Sequence, residues 1–86
     1  MNFWITIKYG NKNYRLMVEH TVMDARTELF KVVGRNKFIV LESNRPLFRN
    51  RGLKHRKPDF KLIEGKIDYN GSLHLLVDAI LKIVEG

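Results

Sequence analysis

Phe3, Ile5, Ile7 and Tyr9 alternate with Trp4, Thr6 and Lys8, and a period of two marks a strand that turns one side toward a core. Gly10, Asn11, Lys12 and Asn13 follow as a cluster of turn formers, after which Tyr14, Leu16 and Val18 alternate with Arg15, Met17 and Glu19. Two alternating runs around such a cluster predict a hairpin. From His20 to Arg26 the alternation lapses, a pattern open to a loop or a single helical turn. Residues 27–33 and 37–42 are dense in β-branched and aromatic side chains and flank Gly34, Arg35 and Asn36, which predicts a second hairpin. Within it, Phe38, Ile39, Val40 and Leu41 are apolar in succession, as in a strand covered on both faces, so this run is the candidate central strand.

Beyond it the pattern breaks. Pro46 and Pro58 disfavour helical backbone at the residues before them, and Asn44, Asn50 and Gly52 are turn formers, so a long irregular loop is expected over residues 44–58. Phe60, Leu62 and Ile63 then predict a short fifth strand over residues 59–67, interrupted at Gly65. At the end of the chain Leu73, Leu76, Val77, Ile80, Ile83 and Val84 recur at helical spacing, with Asn70 or Ser72 available as the N-cap. Leu75, Ala79 and Leu81 lie outside that stripe, so the apolar arc is wider than one sheet face requires. Together these elements predict one small α+β domain spanning residues 1–86, an antiparallel sheet of four to five strands with the helix packed on one face.

Composition narrows this picture. A chain of 86 residues falls below the usual domain size of about 100–150, so a second folded unit is not expected. The chain holds no cysteine, which removes disulfides, thiolate metal sites and cysteine nucleophiles, and leaves stability to packing or to a partner. The first residues lack the basic start and continuous apolar run of a signal peptide, and no stretch approaches the ~18 apolar residues of a membrane span. A cytoplasmic protein without a membrane partner is the expectation.

Charge changes the picture most. Of 16 Lys and Arg, seven fall in residues 44–61 beside a single acid, Asp59, a net +6, while the other nine bases meet eight acids, a net +1. The candidate nucleic-acid contacts are Arg45, Arg49, Arg51, Lys54, His55, Arg56, Lys57 and Lys61, interleaved with Asn44, Asn50, Phe48 and Phe60. Cations neutralise phosphates, and arginine planes or aromatic faces accept unpaired bases, so RNA or DNA is the first partner this composition suggests. A solvated loop, or one facing an acidic protein or membrane surface, has the same composition. Leu47, Phe48 and Leu53 offer the means to hold the segment against a core.

Other chemistry is sparse. His20, His55 and His74 show no metal-binding spacing, Gly34, Gly52, Gly65 and Gly71 are isolated, and neither a metal nor a cofactor is expected. A metal-independent ribonuclease would need His55 as base, Arg56 or Lys57 on the developing charge, and Asp24 or His20 to complete the pair. His74 and Asp78 are four residues apart on the helix, the spacing of an ordinary surface pair. Trp4 is expected in the core, and an exposed Trp4 beside Lys8 and Arg15 would instead point to single-stranded nucleic acid. The leading expectation is a non-enzymatic nucleic-acid-binding domain. Its rival is a protein-interaction or homodimer module using Leu75, Ala79 and Leu81 of the helix.

Overall fold

The computed structural model describes residues 1–35, 37–52, 57–66 and 72–85. Five strands, β1 (Asn2–Tyr9), β2 (Lys12–Val22), β3 (Glu28–Val33), β4 (Phe38–Ser43) and β5 (Phe60–Glu64), pair in chain order as an open antiparallel sheet. A short helix, α1 (Arg45–Asn50), follows β4, and a longer one, α2 (Ser72–Val84), packs across one face against β1. The α+β arrangement expected from the alternating runs and the terminal stripe is the one observed.

Alternation decides which side chains meet the helix, because residues opposite one another across the ladders share a face. One row runs Phe3, Val18, Val32, Ile39, and the next runs His20, Phe30, Leu41, Leu62. With Leu76, Val77 and Ile80 of α2 these rows form the core, and Phe30 and Ile80 are completely buried. The Phe30 ring lies stacked between His20 at 4.6 Å and Phe60 at 5.6 Å, with Phe3 edge-on at 6.5 Å. Burying a side chain of this size contributes about 1.5–3 kcal/mol, so the centre of the sheet carries much of the stability.

Four local features differ from the sequence expectation. Strand β2 continues through His20 to Val22, because the residue that interrupts the apolar alternation, His20, still points to the core side and finds a polar partner there. The turn that follows is held by Asp24, whose Oδ1 accepts from the N–H groups of Arg26 and Thr27 at 2.7 and 2.8 Å. Strand β4 is an inner strand but β3 is the middle one; Ile39 and Leu41 face the helix while Val40 is buried on the opposite side. Residues 45–50 are helical, with Pro46 in the first turn. Proline there removes an N–H that no helical carbonyl could reach and presets the backbone angle, so it starts this helix instead of breaking it. On α2, Ala79 and Leu81 pack against the core, whereas Ile83 is half exposed.

The sheet ends in a tight spot at Gly65. The register between β4 and β5 shifts at Val40/Leu41, a bulge that leaves Ile63 unopposed, and Gly65 then adopts φ +88°. A Cβ at Gly65 would fall 2.6 Å from the Phe38 carbonyl oxygen and 2.8 Å from Ile39 Cγ2. Gly65→Ala is expected to destabilise the domain by about 2–3 kcal/mol through backbone strain plus overpacking, measured as a lower urea midpoint at unchanged slope. An unchanged midpoint would mean the bulge adapts freely.

Candidate functional site

Strands β4 and β5 are antiparallel neighbours, for which a two-residue turn would suffice, yet the chain leaves the sheet at residue 44 and returns at residue 59. The exit and re-entry are tied together. The Asp59 N–H donates to Asn44 Oδ1 at 2.7 Å, the Asn44 N–H donates to the Asp59 carbonyl at 3.3 Å, and Ser43 pairs with Phe60 just inside. The charged segment is therefore a closed excursion with a pinned neck, the form of an Ω-loop.

Helix α1, the first part of this excursion, is fastened to the sheet by a buried ion pair. Glu28 occupies a core-side position of β3, in phase with Phe30 and Val32, and is fully buried. Its Oε1 accepts from His20 Nε2 at 2.6 Å and Arg45 Nη2 at 2.8 Å, and its Oε2 accepts from Arg45 Nε at 2.7 Å and Ser43 Oγ at 3.0 Å. Each carboxylate oxygen thus has two donors, and a forked arginine supplies half of them. Ser43 Oγ also accepts the Arg45 N–H at 3.0 Å, and Arg45 Nη1 reaches Glu85, the residue after α2, at 3.5 Å, so β3, α1 and the end of α2 meet at one guanidinium. Burial pushes the Glu28 carboxyl upward, but the donors from Arg45, His20 and Ser43 outweigh it and hold the group below its ordinary value. The Arg45 guanidinium is shifted up in turn by its hydrogen bonds to Glu28.

The eight sequence-nominated residues consequently do not form one set. Arg45 leaves the group, because its guanidinium is buried as the counter-charge of Glu28 and is not available to a phosphate. Arg49 and Arg51 are exposed at the end of α1. Lys57 is exposed, with Nζ 3.8 Å from Asp78, and Lys61 is exposed on β5 opposite Glu42. Lys54, His55 and Arg56 lie outside the described residues, as do the anchor Leu53 and the candidate cap Asn70. Leu47 and Phe48 are half buried, as anchors would be.

The histidines serve structure where they are described. His20 donates to Glu28 and stacks on Phe30, and Asp24 is taken up by its own turn, while His55, which either of them would have to complete, lies outside the described residues. His74 Nε2 lies 3.0 Å from Asp78 Oδ2 in the helical pair expected from spacing. Beside it a shallow groove of about 320 Å³ runs between the returning arm of the excursion and α2, lined by Lys57, Pro58, Asp59, Phe60, Leu73 and His74. Among the described residues no cluster of three metal-ligating side chains occurs, and no helix is long and apolar enough to cross a membrane.

A second surface lies on the side of the sheet away from α2. Trp4, Met17, Val33 and Phe38 stand directly opposite one another across β1, β2, β3 and β4, an apolar row on the face that an antiparallel sheet usually leaves polar. Trp4, expected in the core, is 52% exposed and Phe38 is 41% exposed. The reason is phase: Phe3, Ile5 and Ile7 take the helix side, which turns Trp4 to the other. The Arg15 guanidinium carbon sits 4.6 Å from the Trp4 ring centre and Lys31 Nζ sits 4.4 Å from that of Phe38. The alternation of β1 and β2 contained the signal for this row; that of Glu28 with Phe30 contained the signal for a buried carboxylate. No known protein family, curated protein or solved structure matches this chain.

Proposed function

We propose that the protein is a small non-enzymatic domain that binds nucleic acid through the cations of its β4–β5 excursion. The observation that carries this reading is that a segment unnecessary for joining its two strands holds seven of the 16 basic residues with its neighbour Lys61, and is fixed at both ends. Arg49 and Arg51 on the anchored helix, and Lys57 and Lys61 on either side of the returning neck, present their charges without having to order the backbone on binding, so less of the electrostatic attraction is offset by lost freedom. Arg49, Arg51, Lys57 and Lys61 are the described members available to phosphates. Arg45 contributes indirectly, by holding α1 in place.

If these four neutralise duplex phosphates, log K should fall against log salt with a slope of about −3.6, and of about −2.8 on a single strand. Replacing all four with glutamine should weaken binding at least about ten-fold and flatten that slope, with the circular dichroism spectrum and melting temperature retained. Absence of any shift of RNA or DNA probes by the parent protein at low salt would end the proposal. For the helix-mediated dimer, Ala79 and Leu81 are already engaged with the core, which leaves Leu75 and Ile83 as the apolar residues on the outer side of α2.

A further inference from the structure

We infer that the outer face of the sheet is a stacking platform for single-stranded nucleic acid, with unpaired bases lying on Trp4 and Phe38. The inference rests on the reading of the protein as a nucleic-acid binder and adds to it a second surface and a strand preference.

The geometry argues for bases more than for a second protein. The row Trp4, Met17, Val33, Phe38 crosses four strands, so its two aromatic ends are about 14 Å apart at the usual spacing between strands. That span gives each ring room for its own base, with Met17 and Val33 as an apolar floor between them. Aromatic rings accept any base through its π-face, and a guanidinium plane can take part in the same stack. Arg15 already lies against Trp4, and Lys31 against Phe38.

Charge on the face is polarised. On the side of the row toward the β1–β2 turn, the outward residues are Thr6, Lys8, Asn13 and Arg15, two cations and no acid. On the other side Glu19, Glu42 and Glu64 accompany Lys31 and Lys61, three acids to two cations, with Lys31 3.8 Å from Glu19 and Lys61 opposite Glu42. A phosphate backbone therefore has one favourable course, along Lys8 and Arg15, with its bases directed across the row. A duplex hides the faces of its bases and gains only the cations, so a preference for single strands follows from the surface itself.

Trp4 is the single tryptophan of the chain, so its fluorescence reports this surface without interference. Titration with oligothymidylate and oligouridylate of about 15 nucleotides at low salt should quench it saturably, and a duplex of equal length should do so far less. By polarisation of labelled oligonucleotide, Trp4→Ala and Phe38→Ala should each weaken single-strand binding about five- to a hundred-fold, while Trp4→Phe retains most of it. Binding of single strands without quenching, equal for duplex and unchanged in Trp4→Ala and Phe38→Ala, would overturn this inference and leave the role of the excursion standing. No binding of either form by the parent protein would overturn both. Light scattering that shows a dimer dissociated by Trp4→Ala, with no quenching by oligonucleotides, would assign the face to a second copy of the chain and equally overturn it.

Discussion

Arg45→Ala is expected to lower the unfolding free energy by about 3–5 kcal/mol, because it leaves a fully buried carboxylate with two of its four donors gone. A domain of this length has roughly 4–13 kcal/mol in all, so the variant would stand near the limit of folding at room temperature. The mechanism has its own control. If the penalty is that of an unpaired buried charge, Glu28→Leu combined with Arg45→Met should recover most of the loss, since well-packed apolar replacements of buried pairs are often neutral or better. Urea denaturation of the single and double variants reads both effects. A single variant that melts like the parent would show that the pair carries no stability, and a double variant no better than the single would show that the loss is not the penalty of an unpaired buried charge.

The same group gives a pH dependence of definite sign. Glu28 titrates below its ordinary 4.5 in the folded protein, so the unfolded chain binds its proton first as pH falls. The contribution of Glu28 is therefore complete above that ordinary value, declines as pH drops below it, and is gone once pH passes the depressed folded value. Glu28→Gln should be less stable at neutral pH and should lose that part of the acid dependence.

Phe30→Ala is expected to have an effect of similar size, about 3–5 kcal/mol, since it opens a cavity in the middle strand at a site with no solvent exposure. Its distinctive consequence lies at the neighbours. Removing the ring takes away the surface on which both His20 and Phe60 stack, and His20 is thereby less constrained to aim Nε2 at Glu28. A double-mutant cycle between Phe30→Leu and His20→Ala should show coupling of about 0.5–3 kcal/mol, measured by denaturation. Strict additivity would mean that the stack and the carboxylate site are independent.

What could be read from the chain beforehand follows from the range of each interaction. Both hairpins and the terminal helix are written in local periodicity, and the paired registers of β1 with β2 and β3 with β4 obey it residue by residue. The charge concentration in residues 44–61 is likewise local. Helix α1 was masked because a proline's effect depends on whether it falls in the first turn or the interior, which composition does not reveal. Arg45 could not be separated from its basic neighbours, because the carboxylate that claims it lies 17 residues away. Trp4, expected in the core, and Phe38, expected on a strand covered on both faces, are exposed for another reason: alternation divides residues between two faces but does not say which face is covered.

The neck at Asn44 and Asp59 makes the excursion look like a part that could be cut out and replaced by a tight turn. It is not separable in that way. Arg45 lies just inside the neck, so a shortened loop would strand Glu28 in the core, and position 28 would have to be rewritten together with the loop. The charge-bearing segment and the middle strand are thus one unit of design, and a change in the loop's length has to be matched by a change in the core.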